Sequence, residues 1–283
     1  MTVDTEAPRA QAALPSLDAR LPDNLKVTQL RVLRSEWVKF WSLRSSYFTL
    51  AGTVIGMIGF GALFSAVTAN RWADMSALRK AGFDAAGTSL RGFELAQLII
   101  GVLGVLLVTG EYGTGMIRAS MSAAPKRLPV VWAKAAVFTI VAFIVGEVSA
   151  FVAFFLGQAL LSSQHIQTTL SAPEVLRTVF GTGVYLTLVG LLGVGLGWII
   201  RSTAGGIATL FGLLLVLPAL GDALPQSWAV HVVPYLPSNA GQTLATLHPD
   251  PGMLAPWTGF GVFCVYVVVA FLGAAILVKR RDA

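Results

Sequence analysis

Few residues in this chain have types and spacings that could do covalent or metal chemistry. His165, His231 and His248 lie far apart and lack the spacing of a metal site, so none is expected. The single cysteine, Cys264, rules out an intrachain disulfide. No G-x-S-x-G, H-E-x-x-H or paired-carboxylate arrangement occurs, which leaves an intramembrane enzyme without a catalytic pair. The P-loop pattern G-x-x-x-x-G-K-[ST] is missing, and the dipeptide Gly-Lys does not occur, so the chain has no loop of that kind for a nucleotide's phosphates. The ionisable residue that stands out is Glu147, near the middle of an apolar run. A carboxylate at the centre of a bilayer costs roughly 3 kcal/mol, against about 0.3 to 0.6 kcal/mol gained by each central Leu, Ile, Phe or Val. The run inserts regardless, and Glu147 should face protein or water, either on a transport path or as a hydrogen-bonded strut.

The second stretch of interest is GEYGTGMIRASMSAAPKR, residues 110–127, pinched between two long apolar runs. It divides into a glycine-punctuated part, Glu111 to Gly115, then the helix-capable MIRASMSAA, then Pro125, Lys126 and Arg127. Thr114 is placed to cap a short helix. Met116, Ile117 and Met121 form an apolar strip, and a strip outside lipid needs a protein partner; Met suits an adaptable binding surface. The alternative is a solvated connector that only supplies positive charge to one side of the membrane.

These residues must be positioned by a membrane bundle. Of the 283 residues 55% are hydrophobic and 12% charged, mean hydropathy is +0.73, and soluble domains carry about twice that charge, roughly 25%. A crossing needs roughly 20 mostly apolar residues, and six windows qualify: about 47–69, 92–109, 135–161, 175–200, 204–220 and 257–278. Period-two alternation of a β-barrel is absent, so the fold class is all-α, a polytopic membrane protein. Placing both termini in the cytoplasm puts twelve flanking Lys and Arg inside, from Arg31 through Lys134 to Arg281, against five outside: Arg71, Arg79, Lys80, Arg91 and Arg177. The net charge of +6 then reads as topology and lipid contact rather than nucleic-acid binding. Residues 1–24 lack an apolar core and contain Pro8, Pro15 and Pro22, the composition of a disordered cytoplasmic tail with no signal peptide; the membrane domain is 25–283.

Before the first crossing, Leu30, Leu33, Trp37, Phe40 and Trp41 share one helical arc while Arg31, Ser35, Lys39 and Ser42 lie opposite. That is the pattern of a helix lying in the membrane interface, or more simply of a basic, aromatic flank that enforces topology. Gly52/Gly56 and Gly193/Gly197 have the G-x-x-x-G spacing that lets helices approach closely. Residues 218–256 hold seven prolines and no Lys or Arg, with Asn239 and Gln242 spaced as N-cap and N3 of a short helix. The polar stretch from about Asn70 to Arg91 offers no motif.

The segments LRSEWVKFWSLRS, GEYGTGMIRASMSAAPKR followed by Lys134, and YLPSNAGQTL, in that order on six crossings, resemble the membrane subunits of type-2 ABC exporters, the ABC-2 permeases. The resemblance spans residues 28–281. It implies that the N-terminal amphipathic segment is an interface or connecting helix, and that Glu111, Gly113, Thr114, Met116, Ile117 and Arg118 form a coupling helix docking on a separate ABC ATPase. It implies short, half-inserted outer helices before the last crossing. ATP and Mg would bind that partner and no cofactor this chain. The working unit would pair this permease with a second copy or a homologous permease in a bacterial plasma membrane. A stand-alone carrier using Glu147 as a proton or ion site is the alternative.

Overall fold

A computed structural model describes residues 28–123, 127–221 and 223–280, in which every regular element is helical. The proposed tail, Lys126 and Arg281 lie outside the described residues. Six helical segments are long and apolar enough to cross a membrane, so the chain is an all-α polytopic membrane protein.

Helix α1 (Gln29–Ser42) starts at Thr28, whose hydroxyl accepts from the Arg31 amide, and leads through Leu43 into the first crossing, α2 (Arg44–Arg71). The polar stretch that offered no motif folds into two short helices, α3 (Ala77–Ala81) and α4 (Ala85–Leu90). Asp84 caps α4 by accepting from the Gly87 amide at 2.9 Å. Ala85, Ala86, Ser89 and Leu90 are buried as α4 wedges between α2 and the third crossing. A Cβ at Gly61 would strike the Ser89 carbonyl, and one at Gly92 the Met57 carbonyl, so glycine is what admits α4 at these two points.

The second crossing, α5 (Phe93–Gly113), and the third, α7 (Leu128–Leu161), are longer than their apolar runs at the ends that face each other in sequence. Glu111 and Gly113 are therefore helical rather than part of a flexible loop. The link between them holds one helix, α6 (Met116–Ala123), reached through Gly115 at φ 74°. Thr114 closes α5, its hydroxyl donating to the Gly110 carbonyl at 2.9 Å, instead of opening α6.

The fourth crossing, α8 (Val175–Ile200), forms the centre of the bundle, most of it buried against α5, α7 and the last crossing, α13 (Pro256–Arg280). Of the two G-x-x-x-G pairs, Gly193 and Gly197 approach the α5 backbone closely at Gly101 and Val105, whereas Gly52 and Gly56 make only ordinary contact with the Ile99 side chain. The fifth crossing is interrupted. It runs as α9 (Thr203–Phe211), a π-helical turn over Gly212–Val216, and α10 (Leu217–Gly221). Pro218 explains the break, because its ring opposes the carbonyl four residues earlier and a wider turn relieves that conflict.

Before α13 the chain forms α11 (Gln226–Val232) and α12 (Pro237–Gln242), each followed by a single 3-10 turn. Residues 236–238 and 240–241 are buried, so the α12 part is packed and not a loose loop, whereas α11 has no buried residue. Helix α12 begins one turn earlier than the Asn239/Gln242 spacing indicates, because Pro237 occupies its first position. Asn239 instead donates to the Val233 carbonyl and Gln242 to the Tyr185 hydroxyl. Arg177 of α8 donates to four carbonyls, those of Thr243, Leu244, Thr246 and Leu247, at 2.8 to 3.4 Å, and fastens the end of this element. Six crossings return the described chain to the end where it began, and there Arg127 donates to the Val278 carbonyl of α13.

Candidate functional site

At the end of the bundle that carries α1, four charged side chains meet under α6. Lys134, in the second turn of α7, is 1% exposed. Its Nζ lies 2.7 Å from Glu36 Oε2 and 2.9 Å from Glu111 Oε1. Lys39 closes the ring, at 2.6 Å from Glu36 Oε1 and 3.5 Å from Glu111 Oε1, and donates to Ser120 Oγ of α6 at 2.9 Å. Two acids and two bases thus join α1, α5, α6 and α7.

The balance of charge makes this burial tenable. An isolated ion in such a place costs several kcal/mol, and only dense pairing repays it. Burial by itself would raise the Glu36 carboxyl, yet Lys134 and then Lys39 outweigh it and hold that group below its ordinary value. For Lys39 burial acts downward, and the carboxylates of Glu36 and Glu111 overcome it, leaving the ammonium above its ordinary value. One acceptor is left over, since Glu111 Oε2 is buried with no hydrogen-bond partner.

Around this cluster the sequence-derived residues separate into two groups. Ile117 and Met121 are 3% and 7% exposed and belong to the main core together with Phe40. Two members of the strip assigned to a partner are therefore covered by the chain itself; the hydrophobic side of α6 had core to bury against. Met116 is 46% exposed, and Gly113, Thr114, Arg118 and Ala119 are exposed beside it. On α1, Phe40 is buried, Leu33 and Trp41 pack against the core, and Leu30 and Trp37 remain exposed. Lys39, placed by periodicity on the solvent side of α1, is half-buried in the charge cluster instead.

Glu147 lies elsewhere, within the crossing α7, with its carboxyl against Gly183 of α8, where a Cβ would come within 2.5 Å of it. Both carboxylate oxygens are shielded and lack hydrogen-bond partners, so the side chain faces protein, as its cost in lipid requires, but is not a hydrogen-bonded strut among the described residues. A separate buried polar line, missed in the sequence, runs from Gln97 of α5 to the Tyr185 hydroxyl of α8 and on to Gln242 of α12. Among the described residues no group of three or more His, Cys, Asp and Glu could hold a metal ion.

No family model matches this chain, and no curated protein matches it either.

Proposed function

We propose that this chain is the membrane-spanning permease subunit of an ATP-driven exporter of the ABC-2 type, acting by alternating access and driven by a separate ATPase. The observation that carries the reading is the four-charge cluster, which ties the short loop helix α6 to α1 and to the ends of two crossings. A push on the exposed face of α6 reaches α5 and α7 through the Lys39–Ser120 hydrogen bond and the ion pairs beyond it rather than through a slack loop. The resemblance of the α1 segment, the α6 loop and the α12 segment to ABC-2 permeases supports the same reading. On it the α1 end is cytoplasmic, Met116, Arg118 and the residues beside them meet the ATPase, and two permeases pair in a bacterial plasma membrane.

The test is assembly and sidedness together. In a Cys264→Ser background, an impermeant thiol reagent applied to intact cells should label His248→Cys and spare Met116→Cys. The purified chain should hydrolyse no ATP alone, and a P-loop ATPase copurifying from its native membrane should be lost on Met116→Asp. Labelling at position 116, or hydrolysis by the chain alone, would overturn the proposal.

A second reading, a proton- or ion-coupled carrier, is favoured by one observation: the shielded, unpartnered carboxylate of Glu147 within a crossing. It has no comparable account of the cluster under α6.

A further inference from the structure

At the end of the bundle away from α1, the α3–α4 region and the segment after α12 line an open cavity of about 800 Å³. Its lining residues include the bases Arg79 and Arg91 and the acids Asp84, Glu94 and Asp250. Through Thr68, Met75 and Arg79 it continues into a second recess of about 610 Å³ that reaches Arg71 and Asp74.

Two features make this more than a polar surface. The charges of both signs share one cavity without neutralising each other: no ion pair joins any of them to another described residue. Asp84 spends one oxygen on the α4 cap, while among the described residues the side chains of Arg79, Glu94 and Asp250 have no polar partner and that of Arg91 has only the Phe64 ring, 5.3 Å from its Cζ. Part of the site also lies well below the end of α2. Phe64 lies roughly 10 Å along α2 below its end at Arg71, and Gly92, next to Arg91, meets Met57, roughly 20 Å below it. Charged side chains at such depth belong to water-filled paths or ligand sites far more often than to lipid-facing surface. Aromatic side chains of Phe64, Phe83 and Phe93 supply the apolar part of the wall.

We infer that this cavity binds a zwitterionic amphiphile, a lipid-like molecule whose head carries both a phosphate and an ammonium group. The phosphate would be held by Arg79 and Arg91, whose forked donors match its oxygens. The ammonium would be held by Glu94 and Asp250, and the apolar portion would lie on the phenylalanines. The inference goes beyond the exporter reading and does not depend on it, since it concerns equilibrium binding to this chain without ATP or an ATPase.

The experiment uses the full chain in a neutral detergent and native mass spectrometry with a short-chain phosphatidylcholine. Three comparison ligands accompany it: a phosphatidic acid of the same chains, a quaternary ammonium amphiphile without phosphate, and glycerophosphocholine. The phosphatidylcholine should bind about tenfold or more tightly than either amphiphile whose head carries charge of one sign only, the scale of one charge-assisted hydrogen bond. Arg91→Gln or Arg79→Gln should erase its advantage over the ammonium amphiphile, and Glu94→Gln its advantage over the phosphatidic acid. All three residues are exposed and unpaired with other charges, so the variants should unfold at the wild-type temperature. Equal affinity for the three amphiphiles, or selectivity unchanged in all three variants, would overturn the site. Glycerophosphocholine binding as tightly as the phosphatidylcholine would overturn the lipid assignment.

Discussion

Lys134 reaches Glu36 across a 2.7 Å contact from which water is excluded on both sides, so the amphipathic helix α1 is fastened to the start of α7 by charge. Because Lys134 also serves Glu111, its loss strands two buried carboxylates. Lys134→Met should lower stability by about 3 to 5 kcal/mol, the scale found when one partner of a buried pair is removed. Adding Glu36→Gln and Glu111→Gln should recover part of that loss, since the penalty is the unpaired charge and not the missing attraction. Unfolding in detergent, followed by circular dichroism, measures both; a loss below about 1 kcal/mol in Lys134→Met would show that the cluster is solvated.

The same cluster sets a pH window. Glu36 sits below its ordinary 4.5 in the folded chain, so its contribution is present above that value and is lost as pH falls through the depressed one. Lys39 sits above its ordinary 10.5, so its contribution is present below that value and is lost as pH rises through the raised one. The cluster's contribution to thermal stability should be level between these limits and fall on both sides. Glu36→Gln should blunt the acid limb and Lys39→Gln the alkaline one. Limbs unchanged in the two variants would assign the titration to other groups.

Six crossings were legible because lipid forces each into a long apolar run, whatever its neighbours. The cluster was not, because its charges lie just beyond those runs, where Lys and Arg also serve to orient the chain. Lys134 read as such a flank, and Glu36 passed unnoticed between Leu33 and Phe40 on the buried arc of α1. One signal was present: Glu111 and Lys134 bear opposite charges, each shortly outside its run, on two helices joined by a short link. An antiparallel hairpin sets such residues side by side. Folding of residues 72–91 was hidden for a different reason, since α4 is admitted by Gly61 on α2 and by Gly92 before α5, a pairing that periodicity cannot reveal.

The two sides of α6 should separate in mutagenesis. Ile117→Ala removes buried side-chain volume and should cost about 2 to 4 kcal/mol. Arg118→Glu changes an exposed group and should stay within about 0.5 kcal/mol, while still weakening association with an ATPase on the exporter reading. Denaturation midpoints of the purified variants, set beside copurification yields, distinguish a folding defect from a docking defect. A large stability loss in Arg118→Glu would mean that this surface is structural.

Arg177 holds the segment after α12 through carbonyls alone, so its removal should loosen one region selectively. In Arg177→Met, amide hydrogen exchange should speed up over residues 236–247 and stay at wild-type rates in α5. Stability should fall by about 1 to 3 kcal/mol, the cost of leaving buried acceptors unpaired. Uniform acceleration along the chain would indicate global destabilisation instead.

Glu147 separates the two transport mechanisms. Its carboxylate lies against Gly183 with no hydrogen-bond partner among the described residues, so Glu147→Gln keeps the shape, removes the titratable proton and adds an amide donor. In an ATP-driven permease the group only lines or packs, and the variant should retain most ATP-dependent export in vesicles that also hold the partner ATPase. A proton-coupled carrier would instead lose all gradient-driven transport, because the proton has lost its acceptor. Glu147→Leu supplies the packing control: it fills the space at Gly183 without polarity, and its unfolding midpoint shows whether the site tolerates any change. Transport by wild-type vesicles under a proton gradient, with neither ATP nor ATPase present, and its abolition in a normally folded Glu147→Gln, would replace the exporter reading with the carrier.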